Sequence, residues 1–208
     1  MRDGAGLSPL RVTPTPPPDG ADRRVRGWDE STRPSGPAPD PGRLYSAGDQ
    51  RSAQHLVDIH DHLRAELAQV RDMVAQVVAG AVDPGTARSH LNAMTMRQNA
   101  WVLGSYCQSY CRVVAMHHGI EDQAVFPHLR RGDARLAPVL DRLEQEHHVV
   151  HDLLEGVDQA LVAAVTTPEA MPGLQAAVDV LADSLLSHLA YEERELVEPI
   201  ARLQMGLS

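Results

Sequence analysis

Two short stretches hold the residues best able to do chemistry. "VVAMHHGIEDQAVFPHL", residues 113–129, sets His117 and His118 just before Glu121 and Asp122 in an apolar run. "SHLAYEERELVEP", residues 187–199, sets His188 four residues before Glu192, with Glu193 beside it. Residues i and i+4 are neighbours on one helix face, so each His-x-x-x-Glu pair can aim an imidazole and a carboxylate at one point. Burying such groups costs free energy unless something pairs with them. A shared cation pairs with nitrogen and oxygen donors at once.

The elements that must position these residues read as helices. Residues 1–45 contain "TPTPPPDG" and "RPSGPAPDPG", with few residues able to form a core. That composition predicts a disordered tail. Residues 46–205 carry helical periodicity. A first helix ends at Gly80, and "DPGTARSHLNAM" reads as a turn and a short helix. A second long helix runs from about Arg97 to a stop near Pro127. A third starts near Arg135, "TTPEAMPG" is a loop, and a fourth starts near Leu174. Four long amphipathic segments with short connections predict an all-α, antiparallel four-helix bundle.

Helical phase sorts the histidines. His60 lies on the stripe of Leu56, Leu63, Leu67, Val70 and Val74, with His55 and His62 nearly opposite. On the second helix Tyr106, Tyr110, Val114, His117 and Glu121 share a face, and His118 and Asp122 fall toward the flank. On the third, Leu140, Leu143, His147, His151 and Leu154 line up while His148 turns away. On the fourth, Leu181, Leu185, His188, Glu192 and Leu196 line up, and Glu193 does not. One inward histidine is commonly a satisfied core residue. Five, phased with two carboxylates on four helices, need a compensating cation.

The expected ligand set is therefore His60, His117, Glu121, His147, His151, His188 and Glu192, with His118 and Glu193 as the nearest alternatives. Seven donors exceed one tetrahedral zinc. They fit two octahedral irons joined by carboxylates and an oxo or hydroxo bridge. A ferritin-like carboxylate site needs two Glu-x-x-His copies, and only Glu144–His147 fits. A histidine-rich pair suits small diatomic and peroxide ligands better than strong hydrocarbon oxidation. Tyr45, just before the bundle, is positioned to fold over its open end and reach an iron. Tyr106 and Tyr110 lie two to three turns from His117, so they are outer-shell candidates.

Composition narrows the partners. The chain has 208 residues, a net charge of −9, and only arginine among its 19 basic residues. That balance argues against nucleic acid or an anionic membrane as the main partner. No run approaches a membrane span and no apolar signal core is present, so a cytoplasmic location is expected. Cys107 and Cys111 sit four apart, a poor spacing for a disulfide within one helix, and are expected as reduced thiols.

The ordered set His60, then His117 with Glu121, then His147, then His188 with Glu192, resembles the hemerythrin-type, or HHE, cation-binding domain. The resemblance covers about residues 50–203. His151 matches the second histidine that hemerythrins proper carry on the third helix. Hemerythrins proper place the fourth-helix carboxylate five residues after its histidine, which is Glu193 here; the HHE pattern points to Glu192. More narrowly, "MTMRQNAWVLGSYCQSYCRVVAMHHGIED" and "LSHLAYEERELVEP" are similar to actinobacterial hemerythrin-like proteins. The resemblance implies a di-iron protein that processes nitric oxide or peroxide in stress defence, with an electron donor still to be identified. Dioxygen or iron binding, storage or sensing without turnover is the alternative.

Overall fold

Apolar residues three and four apart recur along four long helices, and among the described side chains each helix buries that stripe against two neighbours. The computed structural model describes residues 6–17, 27–81 and 89–203, the side chains of 80–103 and 168 excepted. Helix α1 spans Ala47–Ala81 and α2 Ser89–Ile120. A π-helical turn, Glu121–Val125, leads into the short α3, Phe126–Gly132. Helix α4 spans Ala137–Thr166 and α5 Met171–Leu203. The long helices pack in a ring, α1 on α2, α2 on α4, α4 on α5 and α5 back on α1. Neighbours run antiparallel. Gln69 meets Tyr106 and Leu63 meets Tyr110, so α1 and α2 count in opposite directions. Arg71 with Asp179, and His60 with Glu193, show the same for α1 and α5.

Two boundaries differ from the sequence reading. Residues 89–94, expected in a separate short helix, are the first turns of α2, since no Gly or Pro interrupts 89–103. The preceding residues 82–88 lie outside the described residues, as does the side chain of His90. The second long helix does not stop at Pro127. Proline lacks an N–H and crowds the carbonyl four residues back. The turn before it widens instead, with the Phe126 N–H bonding to the Glu121 carbonyl five residues earlier.

The core has two apolar layers. One gathers Leu63, Leu67, Val114, Val150, Leu185 and Leu189 among others. The other gathers Leu56, Val57, Phe126, Leu143, Tyr191 and Leu196 among others. Helix α1 crosses from one layer to the other at His60, α4 at His147, and α5 at His188 and Glu192; α2 packs in the first layer down to His117 and His118, and Phe126 and Leu129 of α3 continue into the second. Cys107 and Cys111 are free thiols packed in the first layer, as small core residues.

The described parts of the expected tail add no long helix, but they are laid on the bundle. Ser8 and Tyr45 form a β-bridge, with N–H to carbonyl distances of 3.1 and 2.8 Å. Leu10 and Val12 pack on the second layer and Trp28 on the first. A 3-10 turn, Glu30–Thr32, is capped by Asp29. Proline-rich chain cannot build a core of its own, but it can cover one.

Candidate metal centre

At the level where the apolar layers meet, two groups of side chains converge. His118, His147 and His188 bring ring nitrogens within 4.8 Å of one another, and so do the ligand atoms of His60, His117, Glu121 and Glu192. The two carboxylates span the groups. Glu121 sets Oε1 3.2 Å from His117 Nε2 and Oε2 3.6 Å from His147 Nε2. Glu192 Oε2 lies 3.6 Å from Nε2 of both His60 and His188. The His60 and His117 Nε2 atoms are 3.1 Å apart. All seven side chains are at most 9 % exposed, so water cannot substitute for a partner.

These residues fit a pair of cations. Both oxygens of Glu121, both of Glu192, and the Nε2 atoms of His118, His147 and His188 are buried without a hydrogen-bond partner. Orphaned buried polar atoms are rare, and a cluster aimed at one point calls for a shared ligand. Mixed imidazole and carboxylate donors suit first-row transition metals such as iron.

The outer ring nitrogens are fixed by carboxylates. His147 Nδ1 is 2.8 Å from Asp122, His188 Nδ1 is 3.1 Å from Glu146, and His60 Nδ1 is 3.0 Å from Glu193. A Nδ1–H donated outward leaves the Nε2 lone pair facing in and raises its basicity. Electrostatics agree. Burial drives the His117 pKa down to about 3 despite the nearby Glu192. Burial also lowers His118, with the neighbouring His147 and His188 adding to the effect. Neutral imidazoles are the metal-binding form. Burial, then the Glu192 charge, pushes Glu121 well above the usual carboxylate range. A cation would displace that proton. Burial alone would raise Glu146, but hydrogen bonds from His188 and Arg33 outweigh it and hold the carboxyl at about 2.

Six of the seven residues expected from phase converge here. The seventh, His151, does not: its side chain is 62 % exposed and pairs with Glu155. The buried positions on α4 include Leu140, Leu143, His147, Val150 and Leu154, steps of three and four that place Val150 inside and His151 outside. His118 takes the place expected for His151. It stacks on His147 with ring centroids 4.1 Å apart. The burial pattern of α2 and the turn that follows it, Cys107, Tyr110, Val114, His117, His118 and Glu121, centres the inward face between the two histidines. That regular spacing was a signal within the sequence. Glu193 is buried, against expectation, because the N-terminal segment covers the outer face of α5; it binds His60 Nδ1 rather than joining the ligand groups.

The tyrosines stand apart from the ligand groups. The Tyr45 hydroxyl donates to Glu198 at 2.7 Å, so it does not close over the cluster. Tyr106 donates to Gln69 and Tyr110 to the Leu63 carbonyl, both one or more turns from the site. His55, His62 and His148 are exposed, and His128 bonds the Leu203 carbonyl. Sequence reasoning missed the outer partners Asp122 and Glu146. Asp122 reaches His147 from the widened π turn, a kind of irregularity that recurs at functional sites.

No curated protein and no solved structure matches the chain. The model of the hemerythrin HHE cation-binding domain matches residues 51–200. That span takes in nearly the whole of all four long helices and every residue of both ligand groups, so the chain belongs to the hemerythrin HHE cation-binding family.

Proposed function

We propose that this protein holds two iron ions, oxo- or hydroxo-bridged, and uses them to consume a small oxidant, nitric oxide or peroxide. The supporting observation is the set of seven buried, partnerless donor atoms on α2, the π turn, α4 and α5, completed by His60 of α1 and His117 of α2. His118, His147 and His188 would hold one ion, His60 and His117 the other, and Glu121 and Glu192 would join them. When bound, the iron pair supplies electron exchange with a small ligand at a vacant coordination position. His60 and His117 give their ion one histidine fewer than the other group has, which would leave it the more open to a small ligand. Burial favours the neutral form of His117, His118 and His188, the carboxylates Glu193, Asp122 and Glu146 turn the Nε2 atoms of His60, His147 and His188 inward, and two apolar layers wall the site.

The electron donor would be a separate redox partner. Among the described residues no helix is long and apolar enough to cross a membrane. The test is metal analysis of iron-replete protein, followed by anaerobic addition of nitric oxide or peroxide with turnover measured. Two irons per chain and multiple turnovers support the proposal. Stoichiometric binding without turnover would favour a dioxygen or iron carrier or sensor. One zinc and no iron would overturn both readings.

A further inference from the structure

The N-terminal segments lie outside the matched span 51–200, yet each hydrogen-bonds a carboxylate that orients a site histidine. The Thr15 backbone N–H donates to Glu193 Oε2 at 2.7 Å, and Glu193 Oε1 is 3.0 Å from His60 Nδ1. Arg33 clamps Glu146 with two bonds of 2.8 Å, Nε to Oε1 and Nη2 to Oε2. The second of those oxygens is the one 3.1 Å from His188 Nδ1. A third Arg33 nitrogen donates to Ser187 Oγ at 3.0 Å, one residue before His188. The guanidinium is itself sandwiched, 5.4 Å from the Trp28 ring centre and 4.5 Å from that of Tyr191. Trp28 stands edge-on to His188 with centroids 6.4 Å apart.

We infer that the segments around Thr15 and Arg33 form a strap that positions one histidine of each ligand group, Thr15 acting on His60 through Glu193 and Arg33 acting on His188 through Glu146. The inference rests on the two-metal reading above. Each carboxylate also has a partner from the bundle, and geometry separates the roles. Arg142 reaches only Glu146 Oε1, at 2.9 Å, away from the oxygen that faces His188. Arg64 reaches Glu193 Oε1, at 2.7 Å, sharing it with His60 and leaving Oε2 to Thr15. Without the Thr15 N–H, Glu193 Oε2 loses its donor; without Arg33, Glu146 Oε2 is held by His188 alone, and either carboxylate can then turn away from its histidine. Glu193 is fully buried and Glu146 is 1 % exposed, so water is a poor replacement. Carboxylates in this outer position typically alter metal affinity 10–100-fold when disturbed.

The test uses full-length, metal-free protein titrated with Co(II) under exclusion of oxygen, in competition with a chelator. Wild type should bind two equivalents. Arg33→Ala should weaken one equivalent about 10–100-fold. Arg33→Lys should do nearly the same, because an ammonium cannot reproduce the two-bond fork. Thr15→Pro removes the N–H in a stretch already flanked by Pro14 and Pro16, and should weaken the other equivalent. Thr15→Ala keeps the N–H and should bind as wild type does. The double variant Arg33→Ala, Thr15→Pro should weaken both.

Wild-type affinities in Arg33→Ala and Thr15→Pro would overturn the strap. So would equal weakening of both equivalents in each single variant, which signals general loosening. A wild type that binds no Co(II) sinks the two-metal reading instead. The strap is then judged in the metal-free protein by NMR of the ring N–H protons. Faster exchange at His188 in Arg33→Ala and at His60 in Thr15→Pro supports it, and unchanged exchange overturns it.

Discussion

His117 and His118 are adjacent in sequence and both buried, yet they belong to different ligand groups. Neighbours on a helix diverge by about 100°, so a face centred between them can serve two ions a few ångströms apart. His151 offers the contrast, an imidazole on the right helix but one position past the buried stripe. His118→Ala should therefore drop iron-loaded protein from two metals per chain toward one. His151→Ala should leave two and change stability by no more than about 0.5 kcal/mol, as exposed substitutions do. Metal content by mass spectrometry reads both. Glu192 and Glu193 divide the same way. Glu192→Ala should lose an ion or the bridge signature in the near-ultraviolet spectrum, because its carboxylate faces both groups. Glu193→Ala should keep two ions at saturation but weaken one about 10–100-fold, because it acts through His60.

The elements place these residues by ordinary bundle spacing, interrupted once. The π turn at Glu121–Val125 and the short α3 carry the chain from α2 across to α4, and Asp133 ends that crossing. Its carboxylate accepts from the Arg135 N–H and pairs with Arg135 and Arg202. Hydrogen bonds from Arg135, aided by Arg202, hold the Asp133 carboxyl well below the usual range. A depressed folded-state pKa stabilises the fold above the unfolded value of about 3.9, and that stabilisation is lost as pH falls through the folded pKa. Asp133 caps the 3-10 turn Ala134–Leu136 that opens onto α4, and Asp133→Ala should cost about 1 kcal/mol at neutral pH, the usual worth of an N-cap. Denaturant melts at neutral and acid pH should show the gap from wild type closing in acid.

Across the whole molecule a polar layer interrupts the core, and its cost must be met by what binds there. Chelation of the metal should lower the thermal midpoint, and added Fe(II) should restore it. A ligand present at 100 times its dissociation constant stabilises by about 2.7 kcal/mol. For a domain of this size that is roughly 5–10 °C per site. Differential scanning calorimetry of stripped and reloaded protein measures it. Equal midpoints with and without metal would mean that the layer is paired in some other way.

Periodicity and residue type alone determined the bundle, the level of the polar layer, and six of the seven clustered side chains. Four of these, in His117–Glu121 and His188–Glu192, rest on i and i+4 spacing, which is local geometry that any helix imposes. His118 and His151 were decided by which side of each helix meets its neighbours. Adjacent residues differ by only one step of phase, and the crossing of α2 over α4 sets where the inward face is centred. The partners Glu146 with His188 and Glu193 with His60 join residues 42 and 133 positions apart, and no local pattern encodes such pairs. The placement of Thr15 and Arg33 was least legible of all. Their segments are rich in Pro and Gly and lack a period, so composition predicted a tail. Only the packed bundle offers buried carboxylates, on α4 and α5, that an N–H and a guanidinium from that segment can reach.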